Sequence, residues 1–521
     1  MPQLTWIGKD KVENHDKDLP FRVLKPNKNL SFGEDDNLLI QGDNLEALKA
    51  LMPFYHGKIK FIYIDPPYNT GNEKWVYNDK VNSPQIRAWL NKVVGPEGED
   101  LCRHDKWLCM IYPRLKLLSQ LLSDDGVICV SINDIEQANL KLLMNEIFGE
   151  TNFITTLIWK SRQNKDNRSV NGVSIDHEYI HCYCKNNNRN KFFKGDERKV
   201  DQYKNPDNDS RGLWVSSNMV GILPEDQRPN CHYDLINPDT GVNYGKPNLG
   251  WRYDKNTMNR LIKEDRILWP SNADGRPRRK VFLNELKSET TGFSSVIGEH
   301  VFTRQGSGEI FNIFQKRVFD FPKPPSLIKI LINQICGDND IVLDSFAGTG
   351  TTGQAVLELN KTEDATRKFI LVEIDSEIAK TITVPRLKAV INGYENALYP
   401  EGTGQGFQYL DLNGELFNKS GFVNQVVNYE DLASYIYFTE TKSYLDLKTI
   451  DKPFIGSYGS NNYILLFEGK GENVLDEKVL KQLSKYSGKK VIFADKTLLD
   501  DDYCEKHNIV FKQIPYELKK Y

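Results

Sequence analysis

The sequence predicts a doubly wound, Rossmann-like α/β domain that carries an inserted region and, behind it, a small αβ module. Three observations predict it. The runs 59–64 (IKFIYI), 341–343 and 369–372 are short and nearly continuous in apolar, β-favouring residues, as strands buried on both faces of a parallel sheet are. Each ends in a turn that carries chemistry: Asp65-Pro66-Pro67-Tyr68, then Asp344-Ser345-Phe346-Ala347-Gly348-Thr349-Gly350, then Glu373-Ile374-Asp375. The second turn opens a helix and the third lies about twenty residues on, which is the strand, turn, helix, strand order of a doubly wound fold.

The other elements follow in order. Apolar residues at 107, 108, 111, 115, 118, 121 and 122 have helical spacing and predict a helix packed on the sheet. Trp107 and Tyr112 in it are read as packing. Asp124-Asp125-Gly126 turns into a strand over 127–132, which ends at Ser131, Asn133 and Asp134, polar residues placed for function. A strand over 180–183 opens at Asp176-His177-Glu178-Tyr179. Helices are predicted over 351–359 and 376–392. Gly402, Gly404, Gly406 and Gly414 read as a linker, and a compact tail follows: helices over 429–438 and 476–486, strands over 463–467 and 491–494. Glu468 and Lys470 at a strand end have a permissive acid-x-lysine spacing, which carries no nuclease assignment.

The first motif is read as a group-transfer turn. Two prolines remove two backbone donors and fix φ, so the Pro66 carbonyl is a rigid acceptor beside the Asp65 carboxylate. Together they can take both hydrogens of an exocyclic amine, and Tyr68 offers a stacking face to a base. Positioning would carry the rate. In the second motif, small residues let a ligand approach the backbone, and Glu373 and Asp375 are placed to hold ribose hydroxyls. A P-loop would need Lys before the Ser or Thr that follows its last Gly, and Thr351 follows Gly350 directly. A dinucleotide site stays open for this segment alone, and the Asp-Pro-Pro-Tyr strand decides against it.

With 521 residues, 39% hydrophobic and 27% charged, the chain is long enough for a large main domain and one or two additions. The eight cysteines are scattered, and nothing at the N-terminus reads as a signal or a membrane span, so a reducing cytoplasm is expected. Cys182 and Cys184 with His177 and His181 lack a second ligand pair at a familiar spacing; burial is the reading and no metal site is assigned. The net charge of −3 hides a segregation: residues 160–290 hold 24 Lys and Arg against 18 Asp and Glu, an excess of six that leaves the rest at −9. Trp214, Tyr244, Trp251, Tyr253 and Trp269 lie there, with Arg276, Arg278, Arg279 and Lys280, the side-chain types that contact phosphates and base edges.

On these residues the chain resembles the amino-methylating DNA methyltransferases in which the target-amine motif precedes the S-adenosylmethionine motif, and more narrowly the modification subunit of type III restriction-modification systems. Asp65-Pro66-Pro67-Tyr68-Asn69-Thr70-Gly71 is similar to the family's target motif. Gln41-Gly42-Asp43-Asn44-Leu45-Glu46-Ala47-Leu48 is similar to the segment whose acid lies near the cofactor adenine, here Asp43. Phe321-Pro322-Lys323-Pro324 is similar to the segment that closes over the methionine end, which brings in Lys323 and Pro324. Asp344, Phe346, Gly348, Gly350, Thr351, Glu373 and Asp375 match the cofactor pocket, and Asp176 to Tyr179 a motif lining the target pocket.

The resemblance implies an S-adenosylmethionine-dependent methyltransferase domain in two halves, 1–159 and 311–400, a target-recognition insert over 160–310, and a C-terminal αβ module over 401–521 for dimerisation or partner contact. It implies adenine N6 as acceptor, since Asp heads the motif where cytosine-N4 enzymes more often carry Ser, and a base flipped from double-stranded DNA. It further implies a homodimer and, because no Walker A sequence is present, a restriction subunit on a separate polypeptide. A cytosine-N4 or orphan DNA methyltransferase and a catalytically idle DNA-binding specificity subunit remain the alternatives.

Overall fold

The computed structural model describes residues 4–19, 21–33, 36–70, 99–165, 171–188, 191–272, 274–288, 290–417, 422–423, 427–441, 445, 450–469, 471 and 473–516. Gly71 and Lys470 lie outside the described residues. The strands that position the site are, in chain order, β1 (Phe21–Pro26), β2 (Leu38–Gln41), β3 (Ile59–Ile64), β4 (Leu122–Ile132), β5 (Phe153–Trp159), β6 (Glu178–Cys184), β7 (Trp214–Asn218), β8 (Ile267–Leu268), β9 (Arg278–Phe282), β10 (Val296–Ile297), β11 (Ile341–Asp344), β12 (Lys368–Glu373) and β13 (Gln408–Phe417).

One sheet runs β1-β13-β2-β12-β11-β3-β4-β6-β5-β10. From β13 to β4 all neighbours are parallel, and β6 turns antiparallel to both β4 and β5. The fold class is the doubly wound α/β domain that the sequence predicts. Its central strands are buried along nearly their whole length because helices cover both faces. Glu99–Leu121 supplies Trp107, Leu108, Ile111, Leu115, Leu118 and Leu121 to the core, all at most 3% exposed. Each such side chain withdrawn from water contributes about 1.5–3 kcal/mol, an upper figure because the unfolded chain also hides some surface.

Three departures from the sequence reading have physical causes. The helix over 376–392 is interrupted by a wide turn at Ala379–Thr383, since Pro385 brings no N–H and its ring would clash one turn back. Asp124, Asp125 and Gly126 lie inside β4, where its register against β3 shifts between Ile59 and Phe61. The glycine-rich linker is corrected: Gln408–Phe417 is a full strand of the main sheet, parallel to β2 and antiparallel to β1, with Tyr409 and Leu410 wholly buried. Glycine density masked a strand that fits between β1 and β2.

The tail beyond β13 builds a four-stranded sheet from Phe454–Tyr458, Asn461–Leu465, Lys489–Ala494 and Ile509–Gln513 with the helix Tyr429–Thr441. Its core continues into Val23 of β1 and Leu416 of β13. Residues 1–194 with 294–521 form one compact unit, and Gly195–Phe293 a second. The second has its own antiparallel sheet, β7-β9-β8, and a core of Met219, Leu235, Trp251, Met258, Leu261 and Ile267. No described helix is long and apolar enough to cross a membrane.

Candidate active site

Four neighbouring parallel strands, β2, β12, β11 and β3, deliver the motifs to one edge of the sheet. Glu373 pairs with Gln41, Asp344 with Leu371, and Leu343 with Ile62, so Asp43, Glu373, the 344–350 turn and Asp65 all follow strand ends on that edge. Carboxyl ends of parallel strands are where ligands gather in such sheets. Segments far apart in the chain, such as those holding Ile62 and Leu343, thereby meet.

The target motif is held from behind. Trp107, wholly buried, donates from Nε1 to the Pro67 carbonyl at 2.6 Å. No hydrogen bond to the Pro66 carbonyl is present among the described residues. Asn69 takes a left-handed backbone, φ 58°, and its Nδ2 donates to Glu136 Oε1, a buried carboxylate also held by Asn139 at 2.8 Å and by His104 Nδ1 at 2.6 Å. Above it, Lys323 Nζ reaches Asp65 Oδ2 at 2.8 Å, the Tyr68 hydroxyl at 2.9 Å and Glu178 Oε2 at 3.2 Å, while the Tyr68 hydroxyl donates to Glu178 Oε2 at 2.8 Å. Lys323 was expected on the cofactor side; its ammonium is found on the target motif. Burial pushes the Asp65 carboxyl up, and Lys323 opposes the rise. Burial alone would lower Lys323, but Asp65 and Glu178 outweigh it and raise the ammonium. Asp65 Oδ1 is buried and has no hydrogen-bond partner.

The Gly-rich turn is braced from inside. Asp344 Oδ1 accepts the Phe346 amide at 3.0 Å and Oδ2 the Thr352 hydroxyl at 2.6 Å, so Asp344 shapes the turn from a buried place. Glu373 accepts the Gly348 amide at 2.7 Å and the Asp375 amide at 2.9 Å. Burial pushes both carboxyls up to about 7. Arg386, fully buried and lowered to about 10 by burial, donates to the Thr349 and Thr351 hydroxyls and to Gln354. The Thr351 hydroxyl in turn donates to the Lys323 carbonyl at 3.2 Å. Pro324 caps the helix Pro325–Ile335, and Phe346 is core, 5% exposed.

Asp43 and Asp375 act locally as helix caps. Asp43 accepts the Leu45 and Glu46 amides and faces Arg114 at 3.6 Å; Asp375 accepts the Glu377 and Ile378 amides. Asn44 links the first cap to the cofactor turn through the Ser345 carbonyl at 2.9 Å. Of the polar residues ending β4, Ser131 meets the Tyr63 hydroxyl at 2.7 Å, Asn133 caps its own turn through the Ile135 amide, and Asp134 accepts from the Tyr179 hydroxyl at 2.8 Å. All three have partners within the fold. His181 is buried between Thr156 and the Gln137 carbonyl, and burial lowers its imidazole to about 4; Cys182 and Cys184 are core.

These residues fit S-adenosylmethionine. Gly348, at φ 50°, would place a Cβ no nearer than 3.6 Å to any neighbour, so its outer face is open to a ligand. Beside it, Ser345 Oγ is buried without a hydrogen-bond partner, and Glu373 carries lone pairs beyond its two amide bonds. Arg114, Glu136, Glu178 and Arg386 are the charged residues that complete the site. Glu178 was legible from its motif; the other three are buried charges whose partners lie far away in the chain, and no spacing announces them.

In the second compact unit the four basic residues differ. Arg276 is exposed. Arg278 donates to Ser216 Oγ at 2.6 Å and its carbonyl at 3.0 Å, and Arg279 to the Tyr253 hydroxyl at 2.8 Å. Lys280 is a correction to the expected phosphate contacts: it is 5% exposed and bound to Asp207 at 2.5 Å and Asp209 at 3.1 Å, because alternation along β9 turns it inward.

The family N6_N4_Mtase, described as DNA methylase, matches residues 59–384. The chain is 34% identical over 405 residues to the type III restriction-modification enzyme StyLTI Mod subunit of Salmonella typhimurium, covering 72% of this chain and 59% of that one. It is 31% identical to the EcoP15I Mod subunit of Escherichia coli, covering 72% and 62%. It is also 31% identical to the type II methyltransferase M.KpnI of Klebsiella pneumoniae, covering 71% and 92%. The chain thus spans less than two thirds of the Mod subunits it matches and nearly all of M.KpnI. The match runs from the target strand through the Gly-rich turn and past Glu373, which braces it, and the chain belongs to the N6/N4 DNA methylase family.

Proposed function

We propose that this protein transfers a methyl group from S-adenosylmethionine to the N6 amine of an adenine flipped out of duplex DNA, as the modification and specificity subunit of a type III restriction-modification system. The observation that carries the reading is the pairing of β3 with β11, which brings the Asp65 turn and the Gly348 turn to neighbouring strand ends. S-adenosylmethionine, when bound, supplies a methyl group made electrophilic by its sulfonium. Gly348 offers it bare backbone, Glu373 holds its ribose hydroxyls, and Ser345 and Phe346 line the turn. Asp65 Oδ1 and the Pro66 carbonyl each accept one hydrogen of the target amine, which turns the nitrogen lone pair out of that plane. Tyr68 stacks on the base. Asp65 then takes the proton that the methylated nitrogen sheds, so no histidine base is required.

Adenine is favoured over cytosine by the Asp that heads the motif. A homodimer and a separate restriction subunit complete the reading, supported by the likeness to Mod subunits. A stand-alone modification enzyme is the second reading, favoured by the 92% coverage of M.KpnI. The test of the mechanism is Asp65→Ala: cofactor affinity should stay within several-fold while methyl transfer to duplex DNA is lost. Retained turnover would remove Asp65 from the reaction.

A further inference from the structure

We propose that Lys323 is a positioning residue for methyl transfer: it turns the Asp65 carboxylate so that Oδ1 is left for the target amine, keeps that carboxylate ionised, and ties it to the Gly-rich turn. The proposal deepens the functional reading above and rests on it for the reaction. Its geometry is closed on one side and open on the other. The three ammonium hydrogens have three oxygens within 3.2 Å, on Asp65, Tyr68 and Glu178, so the amine has no donor to spare for a ligand. Asp65 Oδ2 is thereby used, and Oδ1, buried and unpartnered, is the acceptor that remains.

The backbone that carries Lys323 is fixed. Pro322 and Pro324 flank it, and its carbonyl accepts from Thr351 on the helix that follows the Gly-rich turn. The helix Thr303–Phe314 packs Gly306 against it so closely that a Cβ there would lie 2.2 Å from the Pro322 oxygen and 2.9 Å from the Lys323 carbonyl carbon. The ammonium therefore stands at the end of a braced stem, with the cofactor turn at its root and the target motif at its tip.

The charges around Asp65 show why one cation matters. Facing it are Glu178 from β6 and Asp344 from β11, both acids, the hydroxyls of Tyr63 and Tyr68, and Lys323. Both tyrosines are held well above their ordinary range by burial and stay neutral. Lys323 is the cation in an ion pair with Asp65, at 2.8 Å. Without it, Asp65 takes up a proton at higher pH and gives up part of its acceptor capacity.

The experiment compares the unaltered protein with Lys323→Met, Lys323→Arg and Glu178→Gln. Two titrations are followed: the infrared band of the protonated Asp65 carboxyl in the unliganded protein, assigned by its loss in Asp65→Asn, and the acid limb of kcat on duplex DNA. In Lys323→Met both midpoints should rise by about one pH unit or more, a tenfold change in proton affinity. Lys323→Arg should bring them back toward the original. Glu178→Gln, which keeps an acceptor but removes a negative charge, should move both downward. Midpoints unmoved in Lys323→Met, with or without a fall in kcat, would overturn the proposal, as would a tenfold loss of S-adenosylmethionine affinity with an unmoved limb. If Lys323→Met does not fold, the direction of the Glu178→Gln shift decides. If the unaltered protein methylates no DNA, the functional reading fails, while the infrared titration still decides whether Lys323 holds Asp65 ionised.

Discussion

Glu373 accepts the Gly348 amide at 2.7 Å, so the acidic tip of β12 is bonded to the tightest point of the turn that follows β11. One carboxylate thus sets the shape of this turn, and in the proposed function its remaining lone pairs take the ribose hydroxyls. Glu373→Ala should lose both roles. An unpaired amide and a lost charge-assisted bond together cost about 2–4 kcal/mol, which reads as a loss of S-adenosylmethionine affinity by a factor of thirty or more in calorimetry. An unchanged dissociation constant would contradict the assignment.

Asp344 gives a pH signature. Its folded-state carboxyl is pushed up to about 7 by burial, above the ordinary value of 3.8. The folded protein therefore binds this proton more tightly than the unfolded chain, and the group costs stability progressively as pH rises from about 4 to about 7. Asp344→Asn removes that cost. The difference in Tm between Asp344→Asn and the unaltered, unliganded protein should move in favour of the variant between pH 5 and pH 8; a difference independent of pH would contradict it.

Trp107→Phe should separate packing from positioning. The ring stays in the core, but the bond from Nε1 to the Pro67 carbonyl is lost. Misplacement of the target turn by a fraction of an ångström should lower kcat by about tenfold with little change in cofactor affinity. Steady-state kinetics with a melting curve checks both halves.

In the second compact unit, Arg276 and Lys280 should behave oppositely. If Arg276, exposed, contacts a phosphate, Arg276→Ala lowers the slope of log affinity for DNA against log salt by about one. Lys280→Met should leave that slope unchanged and lower Tm, since it removes the buried ammonium from Asp207 and Asp209 and leaves them only Trp214 and Arg211.

The strands that carry the site were legible because their chemistry is local. An apolar run ending in Asp-Pro-Pro-Tyr or in a Gly-rich turn states both the strand and the side chain at its tip. Glu178 was legible for the same reason, through its place at the head of a strand. Lys323 was visible as a residue but not as a neighbour of Asp65, because the contact spans 258 positions and depends on how the helix Thr303–Phe314 docks. Glu136, Arg114 and Arg386 were invisible for a related reason: a buried charge is defined by partners that only the fold brings. The strand Gln408–Phe417, second from the edge of the sheet, was hidden by the glycines around it, and Lys280 by a basic run whose successive members face opposite sides of β9.

The measurement that bears most directly on the whole account is transfer of labelled methyl from S-adenosylmethionine to duplex DNA of mixed sequence, followed by digestion and identification of the labelled nucleoside. Label is expected on N6-methyldeoxyadenosine and should be lost with Asp65→Ala. Label on N4-methyldeoxycytidine, or none in a protein that binds the cofactor and holds DNA, would contradict it.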